Sequence, residues 1–257
     1  MKKKTLIMLL ASILCIALLP AMAHAATPDV WDGSTASSLR GGGKSENDPY
    51  LISTGAELKL LADNSREAGL GSCYVKLTND IVLNDGTFDK SGAFTKRGGV
   101  TIASPPNEWL PMGEASWHID GNGHSISGMY INRNDAMVGL ISEIKDGGYI
   151  RNLTIKDSYV TSSQAPKSYK GYIGVFAGQS SRTSFTNCAG ENNIAVTNNC
   201  YLTGGIVGWA YRNDEFNGVH VSGSIQGSGA LAGIAGRANG ATFKNCWNEM
   251  GIDNAKP

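Results

Sequence analysis

An apolar-Gly-apolar core recurs four times in the second half of the chain, and that recurrence restricts the fold more than any other feature. The copies are Met137-Val138-Gly139-Leu140-Ile141, Tyr172-Ile173-Gly174-Val175-Phe176, Gly205-Ile206-Val207-Gly208-Trp209 and Leu231-Ala232-Gly233-Ile234-Ala235. About ten residues after each comes a second short apolar segment: Ile150-Arg151-Asn152-Leu153, Phe185-Thr186-Asn187-Cys188, Phe216-Asn217-Gly218-Val219 and Phe243-Lys244-Asn245-Cys246. Aligned on Gly139, Gly174, Gly208 and Gly233, the copies step by 35, 34 and 25 residues. A constant core with variable gaps is the behaviour of a solenoid, whose units stack while insertions bulge from one side.

The segments are short, rich in Val, Ile, Phe and Tyr, and bounded by Gly-Gly or Asn-Gly pairs such as Gly147-Gly148, Asn217-Gly218 and Asn239-Gly240, which marks them as strands. A Gly inside each core suits close backbone approach between coils. The recurrent Asn152, Asn187 and Asn245 suit a left-handed turn and a ladder of stacked amides. A β-sandwich also alternates strands and turns, but its strands do not repeat one another's sequence. The expected fold is therefore all-β: a right-handed parallel β-helix (solenoid). Thr54-Gly55-Ala56-Glu57 fits a capping box, and Leu58, Leu61 and Ala62 follow at helical spacing, so a helix is expected from Thr54 to about Glu67. That α-helix would cap the N-terminal end of the stack, covering its unpaired strand groups. Tyr74 to Leu77 and Asp80 to Leu83 read as strands of the first coil. Residues 84–108, with Pro105-Pro106, read as loop.

The N-terminus reads as a signal peptide: Lys2, Lys3 and Lys4, an uncharged apolar run from Thr5 to Leu19, then Pro20 and the small-x-small Ala23-His24-Ala25. The apolar run falls short of the ~20 residues that a membrane span needs, and Leu14 before Cys15 does not suit lipoprotein processing. Cleavage is expected before Ala26, with no integral span after it. The expected organisation is residues 1–25 as signal peptide and 26–257 as one β-helix domain. The latter divides into an N-terminal segment and cap (26–70), first coils (71–133) and repeats (134–257).

The leader would remove three lysines and no acid from a chain with 22 basic and 22 acidic residues, leaving a net charge of −3. That balance argues against a nucleic-acid partner or an anionic membrane surface. Charged residues are 17% of the chain and 33 of its 257 residues are Gly, a low-charge, turn-rich composition suited to an all-β body. After cleavage Cys73, Cys188, Cys200 and Cys246 remain, with no CxxC. Cys188 and Cys246 fill the same slot two coils apart. At about 4.8 Å per parallel strand they stand beyond the ~7 Å that a disulfide allows, and they read as buried thiols. A Cys73–Cys200 pair stays open.

Several segments, in order, resemble bacterial surface proteins that carry GLUG motifs. These are Asp48-Pro49-Tyr50-Leu51-Ile52, Leu77-Thr78-Asn79-Asp80-Ile81, Trp109 to Gly113, and Asp120-Gly121-Asn122-Gly123-His124-Ser125-Ile126. The Gly-x-x-Gly coils after residue 200 resemble the GLUG repeats themselves. The resemblance covers nearly the whole mature chain and implies a right-handed β-helix that is secreted or displayed at the cell surface, adhesin-like, with no assigned reaction.

No set of residues announces chemistry. His24, His118, His124 and His220 form no HExxH motif, so neither a metal site nor a cofactor is expected, and no catalytic residues are assigned. A polysaccharide lyase or glycoside hydrolase is the enzyme alternative: a hydrolase needs two carboxylates flanking the bond, and a lyase a base, usually with calcium held by several carboxylates. Asp120 with Asp135 or Glu143 is the pair to consider. Asp120, however, sits in the turn composition Asp-Gly-Asn-Gly, and Asp214-Glu215 reads as a solvated loop tip. The expected binding residues are the aromatics Trp209, Tyr211 and Trp247, as platforms for sugar rings. His118 and His124 join them, lining a groove with Asp120. The function expected is a non-enzymatic module that binds an extracellular glycan or a host or bacterial surface protein.

Overall fold

In the computed structural model, residues 29–68, 70–105, 107–163, 171–197 and 202–254 are described; the expected leader with Cys15 and His24, the expected cleavage point before Ala26, and Cys200 lie outside them. The described residues form 26 strands and one helix. Four of the five sheets are built from parallel strands, and each of those four takes its strands from successive repeats. The first has seven strands: Tyr50–Ile52, Ser72–Leu77, Ser116–Asp120, Tyr149–Arg151, Ser184–Thr186, Glu215–Asn217 and Thr242–Lys244. The second pairs Met137–Val138, Tyr172–Gly174, Leu202–Gly204 and Ala230–Ala232. The third pairs Ile141–Lys145, Ala177–Ser181, Val207–Ala210 and Ala235–Ala238. The fourth, eight-stranded sheet ends in Ala189–Thr197, His220–Gly227 and Trp247–Asn254. Each repeat gives one strand to each of the first three sheets and at least one to the fourth.

The register corrects the repeat alignment. Met137, Tyr172, Leu202 and Ala230 stand opposite one another, in steps of 35, 30 and 28 residues. The glycine equivalent to Gly139 and Gly174 is therefore Gly204, not Gly208, and in the fourth unit Ala232 replaces it. Gly204-Gly205 and Gly208 offer two apolar-Gly frames four residues apart, and only strand pairing chooses between them. A Cβ at Gly174 would overlap the Ala177 carbonyl of its own coil and lie 2.5 Å from the Ile206 carbonyl of the next. Gly204 is confined in the same way by the Val207 and Ile234 carbonyls. At Gly139, Gly174 and Gly204 the corner between the second and third sheets has no room for a side chain, whereas the last described unit carries Ala232 there.

Inward columns run down the stack. Val75, Ile119, Ile150, Phe185, Phe216 and Phe243 stand in one register. Phe185 stacks on Phe216 at 4.9 Å between centroids, and Phe216 on Phe243 at 4.7 Å, within 5° of parallel. Turns after this sheet use left-handed backbone: Asn152, Asn187 and Asn245 have φ of 52°, 50° and 52°, and Gly218 takes the place of an Asn with φ 66°. The Asn187 amide donates to Asn152 Oδ1 at 3.3 Å, so the ladder forms there. At Gly218 it shifts by one residue, and Asn245 donates to Asn217 Oδ1 at 3.1 Å.

The helix spans Gly55–Ala68. The Glu57 amide donates to Thr54 Oγ1, as a capping box requires, but the Glu57 carboxylate reaches one residue further back and accepts from the Ser53 amide at 2.7 Å. Leu58, Leu61 and Ala62 are buried in the core that also contains Ile52, Trp109 and Met112. Residues 84–108, expected as loop, contain a three-stranded antiparallel sheet: Gly86–Phe88, Phe94–Lys96 and Thr101–Ile102. Asp89 Oδ1 closes its first turn by accepting from the Ser91 and Ala93 amides, and Phe88 anchors the sheet against Phe94 and Tyr130. Its strands are two or three residues long and owe their order to these contacts, which no local periodicity announces. Cys73 and Cys188 are buried free thiols, each pushed up to about 12 by burial, and Cys246 is a half-buried free thiol.

Candidate functional site

Trp209 lies in the third parallel sheet, where register puts Glu143, Gln179, Trp209 and Arg237 in one outward column. Parallel strands are about 4.8 Å apart, so an acid, an amide, an indole and a guanidinium follow one another on a rigid scaffold. The Gln179 amide donates to Glu143 Oε1 at 2.9 Å. Burial, aided by the charge of Glu114, raises the Glu143 carboxyl. The Trp209 ring meets Tyr172 edge-on at 5.2 Å and Tyr211 edge-on at 4.6 Å. The Arg237 guanidinium lies over the indole at 5.6 Å, and that of Arg212 over Tyr211 at 4.8 Å. The Trp209 Nε1–H is shielded and lacks a hydrogen-bond partner among the described residues. The result is a half-buried aromatic patch edged by two cations. It offers flat apolar faces beside directional polar groups, the combination that holds small polar ligands.

The remaining expected residues lie elsewhere. Trp247 sits in the last strand of the fourth sheet, 54% exposed and stacked on His220 at 4.7 Å. It shares no ring contact with Trp209 or Tyr211. His118 lies on the outer face of the seven-stranded sheet, stacked on Tyr74 at 4.2 Å and edge-on to Tyr149 at 5.0 Å. With Asp120 it lines a groove of about 130 Å³. His118 Nδ1 lies 2.9 Å from the Ser116 carbonyl. Burial lowers the imidazole's pKa, outweighing that carbonyl and the charge of Glu46. His124 does not line this groove. Its Nδ1 lies 3.6 Å from Asp80 Oδ1, and Asp80 borders a separate polar groove of about 460 Å³ against the antiparallel sheet. The two histidines are separated because the turn between them sends one strand to each of two sheets.

The carboxylates considered for hydrolysis are also dispersed. Asp120 accepts from the Asn122 amide at 2.8 Å, the turn its sequence implies, and Glu143 belongs to another sheet. Asp135 pairs with Arg133. Asp214, expected at a solvated tip, is fully buried: Ser180 Oγ donates to it at 2.7 Å and the Thr183 amide at 2.8 Å. It serves the preceding coil's turn, while Glu215 beside it is exposed. Among the described residues no three His, Cys, Asp or Glu side chains converge into a metal-holding group, and no helix is long and apolar enough to cross a membrane.

Gln179, Arg237, Tyr172 and Arg212 belong to the Trp209 site without having been singled out by the sequence. The correct 30- and 28-residue steps place Gln179 and Arg237 beside Trp209, but aligning on Gly208 displaces the third unit by four residues and hides the column.

No family model matches the chain. It is 36% identical over 141 residues to a Gly-rich membrane protein of Evansella cellulosilytica, which covers 52% of this chain and 14% of that protein. It is 30% identical over 178 residues to halomucin of Haloquadratum walsbyi, covering 69% of this chain and 2% of that protein. The chain thus spans a small fraction of the length of both relatives. No solved structure matches it.

Proposed function

We propose that this chain is a GLUG-like, right-handed parallel β-helix, exported and displayed outside the cell, that binds glycans without cleaving them. Its leader is residues 1–25, its cap lies within 26–70, its first coils within 71–133 and its repeats within 134–257. Parallel strands from successive repeats and the helix at the first coils support the closed, capped stack. The names of a membrane protein and of halomucin among its relatives support the extracellular or surface location. The observation that carries the binding function is the Trp209 patch. A partly buried indole on the third parallel sheet, flanked by Tyr211, Arg237 and Gln179, sets apolar ring surface beside hydrogen-bonding groups at fixed spacing, as a sugar ring requires.

The test is a panel of plant, mucin and bacterial glycans read for both binding and cleavage, with Trp209→Ala alongside the parent chain. The expected result is uncleaved ligand, with affinity at least tenfold weaker in Trp209→Ala at unchanged circular dichroism. Glycan binding that survives the substitution would move the site elsewhere. Shortened glycans would instead establish the lyase or hydrolase reading.

A further inference from the structure

The groove beside His118 holds a pattern of charge that the Trp209 patch lacks. The outer face of the seven-stranded sheet carries two neighbouring columns over its first coils. One is Tyr74, His118 and Tyr149; the other is Lys76, Asp120 and Arg151. The first makes an aromatic wall, with Tyr74 and His118 only 15° from parallel. In the second, Asp120 lies between two cations. Arg151 also lies over the Tyr149 ring at 4.8 Å.

Glu46 closes the groove. It belongs to the glycine-rich loop that precedes the first strand, a loop pinned where the Tyr74 amide donates to the Gly43 carbonyl at 3.0 Å and the Gly42 amide to Asp48 Oδ1 at 2.8 Å. From there the Glu46 carboxylate reaches across the sheet and accepts from Arg151 Nη2. Asp120 takes Arg151 Nε at 3.1 Å. Among the described residues Lys76 has no ion-pair partner. The groove is electrically balanced only while Glu46 is in place: two cations face Asp120 and Glu46. Swinging out the exposed Glu46 leaves one positive charge beside the aromatic wall.

We infer that this groove binds a carboxylate-bearing sugar residue, and that Glu46 occupies the ligand carboxylate's position in the unliganded protein. The uronate carboxylate takes Arg151 Nη2, with Lys76 as the second cation. The sugar ring lies against Tyr74 and Tyr149, and its hydroxyls meet Asp120 and the free imidazole nitrogen of His118. The flat wall favours a ring over an extended acidic peptide. The site stands on a different sheet from Trp209, and neither depends on the other.

Titration calorimetry with digalacturonate tests this, with galactobiose as the neutral control and a short oligo-glutamate as the peptide control, all on a chain with Trp209 intact. Digalacturonate is expected to bind and galactobiose to bind at least tenfold more weakly. Glu46→Gln removes the competitor and should tighten digalacturonate about fivefold, the scale of one exposed ion pair. Arg151→Lys keeps the charge but loses the planar fork and should weaken it at least tenfold. Equal binding of the two disaccharides, no gain in Glu46→Gln, or preference for oligo-glutamate would each overturn the inference. Loss of binding in Trp209→Ala but not in Arg151→Lys would leave the proposed function standing and remove this one.

Discussion

Asp214 shows how one residue's neighbours thirty positions away decide its chemistry. Between Asn213 and Glu215 it looks like a surface tip, yet the preceding coil covers it and gives it Ser180 and Thr183 as donors. Burial pushes its carboxyl up to about 6, against the lowering effect of both donors. In the unfolded chain it titrates near 3.9. Between about pH 4 and 6 the folded state therefore holds a proton that the unfolded state has released, so stability falls as pH rises through that window. The loss reaches at most about 3 kcal/mol. Asp214→Asn keeps an acceptor for the Thr183 amide and has nothing to ionise. Urea unfolding at pH 4 and pH 7 should show the parent chain losing stability over that interval and the variant losing less. An identical pH dependence in both would place the titrating group elsewhere.

Among the repeated elements, the corner glycines and the phenylalanine column obey the same rule, that a position counts for as much as the coils on either side of it. Gly174 has a backbone carbonyl from its own coil and one from the next where a Cβ would stand. Gly174→Ala should cost about 2–3 kcal/mol, read from the urea midpoint, because backbone and not a flexible side chain must move. Ala232, the equivalent position in the last described coil, already carries a Cβ, and Ala232→Gly should change stability by less than ~1 kcal/mol. Phe216 is sandwiched between Phe185 and Phe243 and is 1% exposed, whereas Phe243 is 44% exposed. Phe216→Ala should cost about 3–5 kcal/mol and Phe243→Ala clearly less. Similar losses at the two positions would mean that the last coil is covered in solution.

Across the whole molecule the two ends differ. At the first repeats the helix residues Leu58, Leu61 and Ala62 share one buried core with Trp31 and Trp109. Among the described residues Trp247–Asn254 pairs with one neighbour, His220–Gly227, and Phe243, Trp247 and Ile252 are exposed. Stability in stacked units is roughly a sum of unit and interface terms, and a unit with one interface opens first. Amides of Trp247–Asn254 should exchange with deuterium at least tenfold faster than those of Ala189–Thr197, which has neighbours on both sides. Equal protection of the two strands would contradict this picture of the end.

The sequence by itself determined the class of fold. Repeated apolar-Gly-apolar cores, left-handed Asn turns and a Thr54-initiated helix are local features with local physical causes; the Asn turns and the helix appear where the residues place them, and the cores do so in the first two repeats. It also named Trp209, Tyr211, Trp247, His118 and His124 as binding candidates, without showing which of them lie together. Tertiary structure alone decided the register of the third and fourth repeats, because Gly204 and Gly208 are equally plausible corners until strands pair. It thereby decided that Glu143, Gln179 and Arg237 share a column with Trp209, that Glu46 reaches Arg151, and that Asp214 is buried. In each case the partners come from different coils, and a contact between coils depends on how the backbone stacks, which no window of adjacent residues contains.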